Sequence, residues 1–387
     1  MLDTQQFHGR LVDLDTHLQP SPDNYEIAAG EVGRHFKNMH YQMLENATGD
    51  EAQKLAALGG EEALEHNDET VWHLKGSHAA GSFTPEGRLK TLDHMGAERA
   101  FIFSDPGVQV AAFANNDLGL ATMRHWNDFI VDFGRRDPDR LRSVALLNTH
   151  DVDVAVAEAK RVIQAGGRAV TLASAVPPGG ASPAHADMDK LWALCQEADV
   201  SVLLHAGGEF GFLANESLWS KGVDHLGFQP QDMTSESEQV NTYIFSAMHL
   251  SPQNFLSTIV LGGVFERFPR LRFGVIELGG GWLAPAAEHL DQVAAIYRRR
   301  LSGALTLKPS EYIRRNVRVT PFRFEPVADY IERYGLEECY CYSSDFPHPE
   351  GGTRPIPEFA EHIGRLGTAT AEKFFVANAD WVLPALN

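Results

Sequence analysis

The sequence predicts an α/β protein built as a (β/α)₈ TIM-like barrel, distorted by polar insertions after the first and fifth strands. Eight short apolar runs alternate along the chain with segments of helical periodicity. Most of these runs are apolar throughout, which is typical of parallel strands buried on both faces. The 387 residues are 43% hydrophobic and 22% charged, a composition that supports a large core. We therefore expect residues 1–387 to form a single barrel domain.

The first half of the chain supplies four of the predicted strands, at residues 11–18, 99–103, 141–147 and 169–172. A helix begins at Thr84 and Pro85, because a threonine before a proline is a common way for a helix to start. Asp151 is a second candidate N-cap. Further helical patterns cover about residues 116–135 and 151–165.

The second half continues the alternation, with predicted strands at residues 200–204, 271–276, 316–320 and 339–343. Helical patterns separate them near residues 188–195, before residue 268, and at about 283–299 and 326–334. An open, doubly wound sheet would give a similar alternation. However, the first strand is followed by His17-Leu-Gln-Pro20, which lacks the glycines of a dinucleotide-binding turn. The barrel is therefore the preferred architecture.

Two long polar segments interrupt the barrel pattern, at about residues 19–84 and 206–250. The first contains a short helical pattern at residues 51–58. Connections of this length are usually lids or binding loops. We expect the insertions to determine the substrate, and the residues that are candidates for this are Arg34, Trp72, His73, His78 and Trp219.

The formal charge of −19 argues against nucleic acid and anionic membranes as partners. No apolar run approaches the roughly 18 to 20 residues that cross a bilayer, and the first residues do not resemble a signal peptide. Three cysteines in a chain of this length suit a reducing compartment better than a disulfide framework. We expect a soluble, unprocessed, cytoplasmic protein that acts on a small molecule.

Polar side chains capable of acid–base or metal chemistry follow several predicted strands. In a (β/α)₈ barrel the catalytic residues lie at the carboxyl ends of the strands. Each such residue alone could serve as a cap or a turn residue. Taken together, they would share one confined space, where a cation stabilises clustered carboxylates. The residues are Asp15 and His17 after strand one, His205 after strand five, Glu277 after strand six and Asp345 after strand eight.

The first strand places Asp13, Asp15 and His17 at alternate positions, which share one face of a regular strand. Asp13 lies within the strand, so only Asp15 and His17 are assigned to the site. With His205 and Asp345 they form a set of two imidazoles and two carboxylates that suits one divalent metal ion. We expect Zn²⁺ first and Mn²⁺ second.

The predicted catalytic residues are Asp345, His205 and Glu277. Glu277 is expected to orient a ligand, position the substrate or transfer a proton. His348 lies three residues after Asp345 and is a candidate for a supporting role around the metal ion or the substrate, although a turn-stabilising histidine is about equally consistent.

Four ordered motifs resemble the amidohydrolase-related (amidohydrolase 2) group of the amidohydrolase superfamily, which includes aminocarboxymuconate semialdehyde decarboxylase and aromatic-acid decarboxylases. The motifs are Val12-Asp-Leu-Asp-Thr-His17, Leu203-Leu-His-Ala-Gly-Gly208, the run from Gly263 through Glu277 to Trp282, and Tyr342-Ser-Ser-Asp-Phe-Pro-His-Pro-Glu-Gly351. The resemblance implies a distorted barrel with one divalent metal ion, and it maps onto Asp15, His17, His205 and Asp345 as ligands or their neighbours.

The sequence departs from the pattern of this group in two places. Asp15 stands where many members have the first histidine of a His-x-His pair. Glu277 stands where the decarboxylases usually have a histidine that handles protons. His249, on a neighbouring segment, is one candidate to replace that histidine, and a plain surface or helix histidine is the alternative.

Three functions remain open. The resemblance favours non-oxidative decarboxylation of a small aromatic or unsaturated carboxylic acid, with Asp345 or a neighbouring acid managing the proton that replaces CO₂. The alternative is hydrolysis of a C–C, ester, lactone or amide bond by a metal-activated water, with Asp345 as general base. An inactive barrel that serves as a binding module is the third hypothesis. Related barrels are often dimers, so a homodimer is one assembly that the resemblance implies.

Overall fold

Seven parallel strands lie side by side in chain order in the computed structural model, which describes residues 2–46, 65–226 and 242–386. Each strand pairs in parallel with the next. Their bounds agree with seven of the eight predicted strands to within about two residues. The strands are β1 (Leu11–His17), β2 (Ala97–Phe103), β3 (Leu141–Leu147), β4 (Ala169–Leu172), β5 (Ser201–His205), β6 (Phe273–Ile276) and β7 (Val317–Val319).

The eighth strand position is filled by an extended segment at residues 339–346, which is not a regular strand. On one side the Val319 N–H donates to the Cys339 carbonyl at 2.8 Å, and the Cys341 N–H donates to the Val319 carbonyl at 3.0 Å. On the other side the Asp345 N–H donates to the Asp15 carbonyl at 2.9 Å. The segment therefore bridges β7 and β1 and closes the barrel.

The segment makes only isolated bridges to its neighbours, Val319 with Tyr340 and Thr16 with Phe346, so the predicted strand at 339–343 is irregular. A side chain also takes part in this closure, directly after residue 343. The Ser344 N–H donates to the Asp13 carboxylate at 2.9 Å, so a carboxylate replaces a backbone carbonyl of β1 at that rung. The pairing of β1 with β2 also shifts, since Asp13 is opposite Ala100 while Thr16 is opposite Ile102. Between these two pairs β1 advances by three residues while β2 advances by two. The extra residue in β1 breaks the simple alternation of side chains and separates the Asp13 side chain from those of Asp15 and His17.

Helices surround the strands, and each helical pattern predicted for the barrel coincides with a helix, whereas others, such as Pro309–Asn316 and Pro355–Ile363, were not predicted. The Thr84 side chain accepts a hydrogen bond from the Gly87 N–H, and Asp151 accepts from two N–H groups of the next turn. The α-helices are Tyr25–Asn46, Pro85–Met95, Pro106–Ala112, Asp117–Gly134, Val152–Gln164, Asp189–Glu197, Glu216–Trp219, Thr242–Ala247, Leu250–Leu261, Val264–Arg267, Leu283–Ile296, Arg298–Leu301, Pro309–Asn316, Val327–Tyr334, Pro355–Ile363, Thr368–Glu372 and Asn378–Val382.

Short single turns complete the secondary structure. The 3₁₀ turns are Thr4–Phe7, Gly76–His78, Pro178–Gly180, Ala186–Met188, Asp224–Leu226, Pro349–Gly351 and Gly364–Leu366, and the π turns are Glu69–His73 and Lys373–Ala377.

The first insertion contains a helix, Tyr25–Asn46, that the sequence pattern did not predict. It packs against the helix Asp117–Gly134 and buries Ala28, Ala29 and Val32. This helix is kinked at Gly30, where the backbone φ is 58° and therefore not helical. The helical pattern at residues 51–58 lies outside the described residues.

The barrel has an apolar interior that is closed at the end where the strands begin. Interior side chains such as Leu14, Phe101 and Leu203 pack with Ala379, Val382 and Leu383 near the C-terminus. Arginines on the strands donate to carbonyls of this C-terminal segment, for example Arg99 to Leu383 at 2.8 Å, Arg142 to Pro384 at 2.8 Å and Arg318 to Asn378 at 3.1 Å.

The opposite end of the barrel, where the strands finish, carries the polar cluster described next. None of the helices in residues 2–46, 65–226 and 242–386 is both long and apolar enough to span a lipid bilayer.

Candidate metal centre

The side chains predicted at the strand ends converge at the carboxyl end of the barrel. They form two overlapping groups, and within each group one potential ligand atom per residue lies within 4.8 Å of all the others. The first group comprises Asp15, His17, His205 and Glu277, and the second comprises His17, Glu277, Asp345 and His348.

The first group has the dimensions of a metal coordination shell. His17 Nε2 lies 3.2 Å from Asp15 Oδ1 and 3.6 Å from Glu277 Oε2. His205 Nε2 lies 3.3 Å from Asp15 Oδ1 and 3.2 Å from Glu277 Oε2. Two ligands at 2.0–2.2 Å from a tetrahedral ion lie about 3.3–3.6 Å apart. These four distances therefore match the edges of such a shell.

Both histidines of this group are oriented by backbone carbonyls. His17 Nδ1 donates to the Ser104 carbonyl at 3.0 Å, and His205 Nδ1 donates to the Ala206 carbonyl at 2.8 Å. Because Nδ1 carries the proton, Nε2 of each ring presents a lone pair to the centre. Among the described residues, His17 Nε2 and Asp15 Oδ2 are buried without a hydrogen-bond partner. These observations fit a divalent cation at this position.

The second group extends from Glu277 towards the loop after the eighth segment. His348 Nδ1 lies 3.0 Å from Asp345 Oδ1 and 3.6 Å from Glu277 Oε1. The rings of His17 and His348 pack with their centres 3.9 Å apart. Both carboxylate oxygens of Asp345 are buried; Oδ1 forms an ion pair with His348, and Oδ2 has no hydrogen-bond partner in the described part of the chain. The Oδ2 atom is therefore available to a cation, a proton or a substrate.

The backbone at Glu277 and Asp345 adopts the left-handed region, with φ of 57° and 54° respectively. This conformation is unfavourable for most residues other than glycine and is held by surrounding contacts. The Glu277 N–H donates to Thr320 Oγ1 at 2.9 Å, and the Asp345 N–H donates to the Asp15 carbonyl. Two of the clustered carboxylates are thus positioned by sharp turns directly after the barrel wall.

The carboxylates and imidazoles strongly perturb one another. Burial raises the pKa of Asp15 and Glu277, but the surrounding histidines outweigh it, so the pKa of each falls, and that of Glu277 lies well below its ordinary value. Burial and His348 lower the pKa of His17, while Asp15 and Glu277 outweigh them and raise it to about 9. Burial and the charge of Glu277 raise the pKa of Asp345 to about 6. Positive charge therefore stabilises the ionised carboxylates of this cluster, and a bound cation would supply that charge.

Two buried glutamates near the cluster were missed by the sequence reasoning. Glu209 and Glu350 each have an Oε2 that is buried without a hydrogen-bond partner in the described ranges. Burial raises the pKa of Glu209 to about 7 and that of Glu350 to about 8, and the charge of Glu277 contributes to both increases. In the sequence, Glu209 directly follows the two glycines after the fifth strand, and Glu350 lies shortly after His348. These positions were the available signal that both residues lie near the site.

A cavity of about 400 Å³ is lined by Leu278, which follows Glu277 in the chain, together with Phe245, Trp282 and Phe322. None of the six residues of the two ligand groups lines it. His249 lines this cavity and belongs to neither ligand group.

The five residues expected in the insertions have different environments. His78 Nε2 is buried without a partner among the described residues. Arg34 pairs with Glu26 at the surface, and the side chain of Trp219 is 65% exposed. Trp72 packs against the core, and His73 is exposed. Of the five, His78 alone combines burial with a free polar atom.

Comparison with solved structures reveals related barrels. An amidohydrolase from Mycobacterium avium subsp. paratuberculosis superimposes with a TM-score of 0.70 at 19% identity, covering 97% of this chain and 99% of that one. A dihydroxybenzoic acid decarboxylase from Polaromonas, with bound manganese and the inhibitor 2-nitroresorcinol, gives 0.62 at 18% identity over 97% and 96% of the chains.

A 5-carboxyvanillate decarboxylase from Novosphingobium aromaticivorans, complexed with manganese and a nitrobenzoic acid, gives a TM-score of 0.60 at 16% identity over 98% and 97% of the chains. These similarities confirm the predicted (β/α)₈ barrel class. A search of curated proteins gave no significant match.

The sequence itself matches a protein family over almost its whole length. The family, Amidohydro_2, is described as amidohydrolase, and the match covers residues 14–384. This range includes all of the residues of the two ligand groups. The predicted resemblance is confirmed, and the chain belongs to the Amidohydro_2 family of amidohydrolase enzymes.

Proposed function

We propose that this protein is a metal-dependent decarboxylase of a small aromatic carboxylic acid. The observation that carries the proposal is the cluster of imidazoles and carboxylates at the carboxyl end of the barrel. The cluster provides ligands for a divalent ion, and a cavity lined by Leu278, the residue after Glu277, would provide walls for an aromatic ring. The decarboxylases of similar fold act on dihydroxybenzoate and carboxyvanillate, which supports the same substrate class here.

Asp15, His17, His205 and Glu277 would hold the ion, with Asp345 beside it. The predicted ligands were Asp15, His17, His205 and Asp345. We place Glu277 in this set because it lies within 3.6 Å of Nε2 of both histidines, whereas Asp345 lies 3.5 Å from that of His17. A bound divalent ion would polarise a carboxylate or hydroxyl oxygen of the substrate. The carboxylates of Asp15 and Glu277, with that of Asp345 beside them, suit Mn²⁺, and the Polaromonas decarboxylase contains manganese, so we favour Mn²⁺ over the Zn²⁺ expected from the sequence.

The chain's own side chains would then orient the ring and move the proton. Phe322 packs against Phe245 with ring centres 4.7 Å apart, and Trp282 lies on the same cavity wall. Stacking on these rings would hold an aromatic substrate next to the cluster. Asp345, whose Oδ2 has no hydrogen-bond partner among the described residues, would deliver the proton to the ring carbon that loses CO₂.

A hydrolytic reaction is the second candidate, favoured by the negative charge of the site. The carboxylates of Asp15, Glu277 and Asp345 lie in the cluster. These groups would repel an anionic substrate more than a neutral ester or lactone. In this reaction Asp345 would act as the base.

A substrate panel distinguishes the two reactions. The protein loaded with Mn²⁺ or Zn²⁺ is incubated with aromatic carboxylic acids and, separately, with aromatic esters and lactones, while CO₂ release and acid release are measured. We expect CO₂ from at least one hydroxylated aromatic acid. Acid release from esters or lactones without any CO₂ would reject decarboxylation and support the hydrolase. No turnover of either class with a loaded metal centre would reject both.

A further inference from the structure

We propose that Glu325 is a positioning residue for Glu277, because its carboxylate fixes the glycine loop, Gly279 to Gly281, that follows Glu277 in the chain. Glu325 belongs to neither ligand group. The inference rests on the proposed function, in which Glu277 holds the ion. It adds a residue from the loop after β7 that determines where the Glu277 side chain lies.

The Glu325 carboxylate accepts hydrogen bonds from backbone groups of two different loops. The Gly280 N–H donates to Oε1 at 3.0 Å, and the Gly281 N–H donates to Oε2 at 2.8 Å. The Phe322 N–H, in the loop after β7, donates to Oε1 at 2.8 Å. The bond from Phe322 closes a local turn, but Gly280 and Gly281 lie 45 and 44 residues away along the chain. The carboxylate therefore joins the loop after β6 to the loop after β7.

The glycine loop has the shape that this contact requires. A Cβ atom at Gly281 would lie 2.8 Å from the hydroxyl oxygen of Tyr330 and 3.2 Å from Glu325 Oε2. The Tyr330 hydroxyl hydrogen-bonds to the same carboxylate, so neither group is free to withdraw. Gly279 has a φ of 72°, which favours glycine, and a Cβ there would lie 3.2 Å from Glu325 Oε1. The absence of side chains thus lets the backbone approach Glu325 closely.

Glu277 lies between two hydrogen bonds that hold this part of the chain to the end of β7 and the loop after it. On one side, its own N–H donates to Thr320 Oγ1 at 2.9 Å. On the other side, the N–H of Gly280, three residues later, donates to Glu325. The backbone of Glu277 is left-handed, with a φ of 57°, and such a conformation persists only where the surroundings enforce it. The two hydrogen bonds together enforce it here.

The position of Glu277 matters because its carboxylate contacts three histidines. Its Oε2 lies 3.2 Å from His205 Nε2 and 3.6 Å from His17 Nε2. Its Oε1 lies 3.6 Å from His348 Nδ1. A functional site of this kind needs its side chains held to within about 0.5 Å. Loss of the Glu325 carboxylate would leave the N–H groups of the glycine loop to water, and the loop would move the Glu277 side chain with it.

Metal affinity in a double-mutant cycle tests the inference. The full-length wild type, Glu325→Ala, Glu277→Gln and the double variant are stripped with chelator, and the dissociation constant for Mn²⁺ is measured by equilibrium ultrafiltration. We expect Glu325→Ala to weaken binding about 10-fold in the wild-type background and less than about 2-fold when Glu277 is already changed. Glu332→Ala, with a side chain that is 54% exposed, is the matched control and should bind Mn²⁺ as the wild type does.

Two results of this cycle would overturn the inference and leave the proposed function intact. The first is equal weakening by Glu325→Ala in both backgrounds, which would mean that Glu325 only stabilises the fold. The second is wild-type affinity in Glu325→Ala. Glu325→Gln, which keeps the size of the side chain but replaces one acceptor oxygen by a donor, takes its place if Glu325→Ala does not fold.

A measurement on the metal-free protein separates this inference from the proposed function. The imidazole C–H resonances of His17, His205 and His348 are compared by NMR between the wild type and Glu325→Ala. We expect all three to shift, because the carboxylate between them moves, whereas the resonance of His185, whose side chain is 53% exposed, should not change. A wild type that binds no Mn²⁺ would reject the proposed function. The resonances would then decide this inference alone, and unchanged resonances would overturn it.

Discussion

Asp345 is the side chain whose environment most directly indicates chemistry. Its carboxylate is buried, Oδ1 pairs with His348, and within the described ranges Oδ2 accepts no hydrogen bond. Its backbone has a φ of 54°, which a non-glycine residue adopts only when the surrounding structure enforces it. Such a position is unfavourable for stability, and we expect it to serve the binding of a ligand or the transfer of a proton.

We predict that Asp345→Asn lowers the rate of turnover by about 10³-fold, because the amide cannot transfer the proton. The fold should be retained, since the residue lies at a strand end and not in the apolar core. CO₂ or acid release, circular dichroism and Tm measure the two effects. The exposed variant Asp187→Asn is the matched control, and activity of Asp345→Asn within a few-fold of wild type would remove Asp345 from the mechanism.

Glu209 gives a pH-dependent prediction. Burial raises its pKa from 4.5 to about 7, so the folded protein binds more protons at this residue than the unfolded chain does between these values. The destabilisation by ionised Glu209 is therefore absent below about pH 4.5 and complete above about pH 7. Its full size would be about 3 kcal/mol.

Glu209→Gln removes this titration. The stability of the variant relative to wild type should accordingly increase as the pH rises from 4.5 to 7, with no further change above. Urea unfolding at several pH values measures the difference, and the exposed Glu197→Gln is the control. A difference that is constant across this range would contradict the assignment.

The sequence was informative about side chains that directly follow the strands. Asp15, His17, His205, Glu277 and Asp345 all meet at one end of the barrel, as the strand-end rule predicts. Glu209 and Glu350 were missed because they lie in loops, where position in the chain does not indicate which way a side chain points. The preference for Glu277 over Asp345 in the first group depends on interatomic distances that no sequence pattern contains.

Arg88 joins three elements around the end of β1. This fully buried residue donates from Nε to the Gly81 carbonyl at 2.7 Å and from Nη1 to Thr16 Oγ1 at 2.8 Å. It also donates to the His17 carbonyl, and its guanidinium lies 4.9 Å from the centre of the Phe346 ring. The first insertion, β1 and the eighth segment are thus held in register beside the cluster.

We predict that Arg88→Met destabilises the protein by about 3 kcal/mol or more, because several buried oxygen acceptors lose their donor. Urea unfolding measures the loss, and the exposed variant Arg124→Met is the matched control. A change below about 0.5 kcal/mol, equal to that of the control, would show that Arg88 is not needed to hold these elements together.

At the level of elements, the sequence patterns located the seven regular strands and several of the helices that pack on them, but not Pro309–Asn316 or Pro355–Ile363. The eighth strand was predicted as regular, but residues 339–346 make only isolated bridges to β7 and β1. The helix Tyr25–Asn46 was not predicted, and it is kinked at Gly30, where φ is 58°. Both differences arise from local contacts that depend on the folded chain.

The whole barrel has two chemically different ends. At one end, the C-terminal segment packs into the apolar interior, and strand arginines bind its carbonyls. At the other end, carboxylates and imidazoles cluster around a common centre. The closed end provides stability, which allows the open end to retain polar groups without partners. The cytoplasmic location and the homodimer remain predictions.

Metal removal should lower the stability of the whole molecule. At about 100 times its dissociation constant, an ion that binds only the folded protein stabilises it by about 2.7 kcal/mol. We therefore expect chelator to lower Tm and added Mn²⁺ to restore it. His205→Ala should abolish most of this gain, whereas His185→Ala should keep it. A Tm that does not respond to chelator or to metal would count against a metal centre.

The most direct test of the account is a crystal structure of the metal-loaded protein with anomalous data at the manganese and zinc edges. We predict an anomalous peak at one or both edges, surrounded by Asp15, His17, His205 and Glu277. Diffraction from fully loaded crystals with no anomalous peak among these four side chains would contradict the central claim that they form a metal centre.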